Sequence, residues 1–79
     1  MPTQARERSR IVRTIQAYLD ANPAAADTLD GIAGAWLGGC FARGRVEEAL
    51  EHLVRRGAMA IRILPDESAL FSRAPRGAP

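Results

Sequence analysis

Apolar residues recur at helical spacing in three successive stretches of this sequence, and a fourth stretch changes to strict alternation. In the first three, they fall three to four positions apart, as on the buried face of an amphipathic helix. After Gly57 the period falls to two, which is typical of a strand. This order predicts a small domain of three helices followed by a hairpin.

The first predicted helix runs from about residue 4 to residue 21. Its apolar side is formed by Ile11, Val12, Ile15, Tyr18 and Leu19. Asn22-Pro23 ends it, because proline lacks a backbone donor and disfavours helical backbone in the residue before it. A short Ala-rich linker is expected next.

The second predicted helix begins at Asp27 or Thr28, since either side chain can cap a helix N-terminus. Its apolar stripe consists of Leu29, Ile32, Ala33, Trp36 and Leu37. The pair Gly38-Gly39 ends it. We expect Trp36 to belong to the core, because its neighbours at helical spacing are apolar.

The third predicted helix ends at Gly57, because glycine suits the left-handed position that follows a helix. Its buried stripe consists of Val46, Ala49, Leu50, Leu53 and Val54. A strand beginning at Met59 and a return strand from Ala69 to Arg73 flank a turn at residues 65–68. Residues 74–79, rich in proline, are predicted to form a disordered tail.

The composition predicts one folded domain over residues 1–73. Apolar residues make up 47% and charged residues 25% of the 79 residues, which is ordinary for a globular protein with a packed core. Cys40 is the single cysteine, so no internal disulfide forms, and no apolar run is long enough to span a membrane. We therefore expect a cytoplasmic protein without membrane association.

Three segments carry a resemblance to a known family. They are 27–33 (DTLDGIA), 37–38 (LG) and 45–59 (RVEEALEHLVRRGAM). Together they resemble bacterial winged helix-turn-helix domains of the small-regulator type. The resemblance implies an α+β, mainly helical fold, with three helices and a C-terminal two-stranded hairpin called the wing. It also implies binding of double-stranded DNA, a role in transcription regulation and a homodimer.

In this family the third helix usually enters the major groove, and the wing and neighbouring turn contact phosphates. Arg43 and Arg45 precede the third predicted helix, and Arg62 and Arg73 lie on the hairpin. Carried onto this sequence, the resemblance makes these four arginines phosphate contacts. It places His52 or Arg55 near bases, and Arg76 in the tail adds positive charge. The net charge of +2 supports this weakly, because arginine without lysine is typical of a GC-rich genome.

A second interpretation is a winged-helix protein interaction module without nucleic-acid binding. On a helical wheel that starts from the buried Val46, the most outward positions of the third helix are Glu48, Glu51 and Arg55, and Glu47 lies on the flank. Phosphate groups of DNA repel the carboxylates of these three glutamates. A partner would then dock on helix 2, on this acidic face or on the hairpin edge. The side of helix 2 suited to close approach is Gly31, Gly34, Ala35 and Gly38.

Catalytic, metal and cofactor sites are not expected. His52 and Cys40 are too few ligands for a structural zinc site, and the chain has no glycine-rich phosphate loop after a strand. It also shows no nucleophile with a base and an orienting partner. We therefore expect a binding protein rather than an enzyme.

Overall fold

The computed structural model describes residues 2–75. In chain order its elements are α1 (Pro2–Ala21), β1 (Ala26–Asp27), α2 (Leu29–Gly31), a π-helical segment (Ile32–Trp36), α3 (Arg43–Arg55), β2 (Met59–Ile63) and β3 (Ala69–Arg73). The fold is α+β and mainly helical, which confirms the predicted class. Helix α2 continues directly into the π-helical segment, and the two together form the second helical stretch.

The core lies where the three helical stretches meet the sheet. Its buried side chains are Ile11, Ile15, Leu19, Ile32, Trp36, Leu37, Val46, Ala49, Leu50, Leu53, Met59 and Phe71. These include members of every predicted stripe, so the helical periodicities are confirmed. Trp36 packs at the edge of the core, where its ring stacks on Tyr18 with the centroids 4.4 Å apart.

The sheet has three strands in the described residues, where the sequence predicted a two-stranded hairpin. Ala26, expected in the linker, and Asp27, one of the two predicted helix caps, form β1, in which Ala26 pairs with Ser72 and Asp27 with Phe71. The strand order is β1-β3-β2, so β1 covers the edge of β3 that a hairpin alone leaves open. A strand of two residues has no detectable period, and its pairing depends on a distant segment.

The second helical stretch starts at a capped N-terminus and then widens. Thr28 is the N-cap, and its Oγ1 accepts a hydrogen bond of 3.2 Å from the Gly31 N–H. Further on, the Leu37 N–H donates to the Ile32 carbonyl, the five-residue spacing of a π-helix. The stretch ends where predicted, because Gly38 and Gly39 have φ of 67° and 72°.

Helix α3 begins earlier than the sequence indicated. Arg43 and Arg45 were expected to precede the helix, but both lie in its first turn, after Ala42 as N-cap. Ala42 has no side-chain group that caps a helix, so the local N-terminal signal is absent. The helix ends at Arg55, and Gly57 follows in the left-handed conformation with φ of 79°.

The hairpin closes with a three-residue turn. The Leu64 N–H donates a hydrogen bond of 2.8 Å to the Ser68 carbonyl. The Glu67 N–H donates one of the same length to the Leu64 carbonyl. Glu67 has φ of 70°, the left-handed bulge position that glycine usually occupies. At the other end, pairing continues past Arg73, because the Ala74 N–H donates to the Ala58 carbonyl. Of the predicted tail, residues 76–79 with Arg76 lie outside the described residues.

Candidate functional site

A surface groove of about 600 Å³ lies between α2, α3 and the hairpin. Its apolar lining comes from Leu29, Val54, Ile61, Ala69 and Phe71. Its charged lining comes from Asp30, Arg43, Glu47, Glu51 and Arg55. An apolar groove with charged groups around it is the usual form of a site that binds another molecule.

The hairpin wall of the groove is exposed because the helices cover only part of the sheet. Ile61 pairs with the buried Phe71, and cross-strand partners share one face, so Ile61 lies on the core side of the sheet. Ile61 is nevertheless 48% exposed as a residue, and Ile63, two positions along, is 64% exposed. These are the exposed large hydrophobic residues of the described chain, and both belong to β2, an edge strand.

Arg43 lines this groove and forms an ion pair with another lining residue, Asp30. Its Nε lies 2.6 Å from Asp30 Oδ1, which joins the first turn of α3 to α2. The hydrogen bond to Asp30, and then the attraction of its charge, hold the pKa of Arg43 above its ordinary value. The guanidinium predicted to contact phosphate is therefore already paired within the chain.

Arg45 is also paired, and it lies outside the groove. Its Nε is 3.4 Å from Glu7 Oε1 of α1, and its Nη1 is 3.3 Å from Glu48 Oε1. Its side chain is 36% exposed. Arg45 therefore connects α3 to α1, and the two arginines at the start of α3 are held by different acids.

The four other residues predicted to bind DNA are separated from one another. Arg55 lines the groove, whereas His52 lies half-buried on the side of α3 that meets α1. Arg62 alternates with Ile61, so it lies on the opposite face of the sheet. Arg73 lines a smaller pocket with Gln16, at the end of α1. Of the six predicted residues, the structure brings only Arg43 and Arg55 together in this groove.

His52 lies in a positively charged neighbourhood. Burial lowers the pKa of its imidazole, and repulsion from Arg8, Arg56 and Arg55 lowers it further. Arg8 belongs to α1 and the other two belong to the end of α3. The junction of these helices therefore forms a basic patch that shares Arg55 with the groove, and no sequence pattern indicated it.

Glu47 and Glu51 are exposed on the groove side of α3. Among the described residues, the ion pairs involve Asp30, Glu7 and Glu48 as acids, so neither Glu47 nor Glu51 has a cationic partner.

No family model, curated protein or solved structure matches this chain. Three helices with a small antiparallel sheet are compatible with a winged-helix-like fold. In the region that the structure covers, no helix has the length and apolar character needed to cross a membrane.

The small residues predicted as a smooth partner face do not form one continuous surface. Gly31 is half-buried, and a Cβ at this position would collide with the Asp27 carboxylate. Gly38 lies beyond the helical segment, where its positive φ requires glycine. Only Gly34 and Ala35 are exposed within the helical segment. The π-helical turn changes the angle between positions, so the spacing assumed for an α-helix is wrong here.

The sequence does not reveal the groove as a unit. In the sequence, Asp30 is only an acid near a helix N-terminus, and Ile61 is only part of an alternating strand. Both residues line the same groove, and they do so because of the way α2, α3 and the hairpin pack together. The one available signal was the isoleucine at position 63, which continues the apolar alternation of Met59 and Ile61 to the end of β2, where it is exposed.

Proposed function

We propose that this chain is a cytoplasmic, winged-helix-like protein interaction module whose partner binds in the groove between α3 and the hairpin. The observation that carries the proposal is the pair of exposed carboxylates, Glu47 and Glu51, on the groove side of α3. In a DNA-binding winged helix the third helix enters the major groove between two rows of phosphates, which repel carboxylates on its outward side. A protein segment has no such requirement.

The pairing of the flanking arginines supports the same proposal. Phosphate binding needs cations that are free to replace counterions on DNA. Arg43 is bonded to Asp30, and Arg45 is held between Glu7 and Glu48, so DNA would have to compete with carboxylates for both. The exposed apolar side chains of β2, Ile61 and Ile63, add contact area that a protein partner can bury.

A DNA-binding transcriptional regulator, acting as a homodimer, is the second candidate. The observation that favours it is the basic patch that Arg8, Arg55 and Arg56 form around His52. These residues form no ion pair within the described residues. If the protein binds DNA, this patch supplies more free positive charge than the arginines at the start of α3.

Selection from a random peptide library displayed on phage tests the proposed function. Synthetic copies of the enriched peptides are then titrated into isotope-labelled protein while backbone amide shifts are followed by NMR. We expect the shifts to concentrate on the groove, at Leu29, Val54 and Ile61. Failure to select any peptide that shifts these amides contradicts the interaction module.

Titration with random duplex DNA, at low and at physiological salt, tests the second candidate. DNA binding through the basic patch predicts shifts around His52 that vanish as salt rises, and their loss in Arg8→Ala and Arg56→Ala variants. Binding as the family resemblance implies predicts instead that Arg43→Ala and Arg45→Ala weaken it. An unchanged spectrum at low salt excludes both modes.

A further inference from the structure

We infer that the groove takes a partner segment in which apolar side chains are interspersed with arginine or lysine. This inference rests on the proposed function, because it names the chemistry of the ligand for the same site. It draws on two properties of the groove: the apolar surface of its floor and the sign of the charge around it.

The apolar surface sets the first requirement. Leu29, Val54, Ile61 and Phe71 line the groove, and Ile61 is nearly half exposed. Removing such surface from water favours binding in proportion to the apolar area covered. Ile63, on the same face of β2, extends the exposed apolar surface toward the hairpin turn. The occupant therefore needs apolar side chains of its own.

The charge sets the second requirement. The groove lining holds three carboxylates and two guanidinium groups, so it is negative by one charge, although the whole chain carries a net charge of +2. Asp30 and Arg43 neutralise each other, which leaves Glu47 and Glu51 facing Arg55 alone. Complementary charge selects among partners and speeds their encounter. A cationic segment fits this rim, and an acidic segment or a nucleic acid does not.

The test uses the selected phage peptides and one matched pair of protein variants. Glu51→Arg reverses a charge in the groove, and Glu48→Arg makes the same reversal on the same helix outside it. Both glutamates are exposed, and Glu48→Arg breaks one surface ion pair, to Arg45, which contributes little to stability, so neither change should disturb the core. Thermal unfolding of each variant checks that the fold is intact.

We expect the enriched peptides to contain arginine or lysine among apolar residues. Glu51→Arg should then weaken their binding by about tenfold, because a weak attraction at an exposed position becomes a weak repulsion, and Glu48→Arg by much less. Added salt should weaken binding to the wild-type protein, and Ile61→Ser should also weaken it, because the apolar floor is reduced.

Two results separate the inference from the proposed function. Neutral or acidic peptides that shift groove amides, with affinity unchanged by Glu51→Arg, overturn the cationic ligand and leave the interaction module standing. No groove-binding peptide at all overturns both. Concentration-dependent shifts of the same amides in the protein alone indicate a second copy of the chain as the occupant, and they also overturn the inference.

Discussion

At the scale of single residues, two glycines of the second helical stretch differ in their surroundings. A Cβ at Gly31 would collide with the Asp27 carboxylate, which also accepts a hydrogen bond from the Thr28 N–H. A Cβ at Gly34 would meet no atom within 4 Å. We expect Gly31→Ala to leave the stability nearly unchanged, because the displaced Asp27 carboxylate loses a hydrogen bond worth about 1 kcal/mol and the higher helix propensity of alanine offsets a similar amount. Gly34→Ala should stabilise the protein by about 0.5–1 kcal/mol.

Urea denaturation of the two alanine variants measures this difference. The two substitutions are chemically identical, so any difference between them reports on their sites. Equal effects on the free energy of unfolding would show that the contact between position 31 and Asp27 does not constrain the fold.

The turn of the hairpin gives a prediction about pH. Asp66 Oδ1 accepts hydrogen bonds from Ser68 Oγ, at 2.6 Å, and from the Ser68 N–H, at 3.0 Å. These two hydrogen bonds hold the pKa of Asp66 below its ordinary value of 3.8, and the bond from the Ser68 hydroxyl has the larger effect. Because the pKa is lowered in the folded state, the stabilisation is complete above the ordinary value and is lost as pH falls through the lowered one.

We expect Ser68→Ala to raise the pKa of Asp66 toward its ordinary value. The substitution removes the hydroxyl hydrogen bond, which lowers this pKa most, and keeps the hydrogen bond from the backbone N–H. A titration that follows the Asp66 side-chain carboxyl carbon by NMR measures this. An unchanged pKa in the variant would mean that the hydroxyl does not bond to the carboxylate in solution.

At the scale of elements, the start of the second helical stretch depends on one side chain. Thr28 caps α2, and β1 ends one residue before it, so this cap also sets the direction in which the chain leaves the sheet. Thr28→Ala should lower the free energy of unfolding by about 1 kcal/mol, because the hydroxyl that accepts from Gly31 is lost. Thr28→Ser keeps this hydroxyl and serves as the control in the same thermal denaturation. Equal losses in both variants would assign the effect to the threonine methyl group instead.

At the scale of the whole molecule, similar apolar side chains stabilise the fold in the core and form the proposed binding surface in the groove. Leu50 is fully buried among the helices, whereas Ile61 is half-exposed in the groove. Leu50→Ala should therefore cost about 2–5 kcal/mol of stability, a large part of the total for a small domain. Ile61→Ala should cost less than about 1 kcal/mol and act mainly on partner binding. Chemical denaturation compares the two, and a large loss in Ile61→Ala would make this residue part of the core.

Features that depend on neighbouring residues could be predicted from the sequence alone. The helical stripes around Ile15, Ile32 and Leu50 appear in the periodicity, because residues three and four apart share a helix face. The end of α3 before Gly57 and the change to a strand at Met59 were predicted from local backbone preferences. The six residues predicted to bind DNA could be named from sequence, but their arrangement could not.

Features that join distant segments required the folded chain. Strand β1 exists because Ala26 and Asp27 pair with β3, which comes last in chain order. Arg43 and Arg45 are two residues apart, yet one pairs with Asp30 and the other reaches Glu7 of α1. Their partners depend on how the helices pack, and no local period records such contacts. For the same reason, the groove could be found only once α2, α3 and the hairpin were assembled.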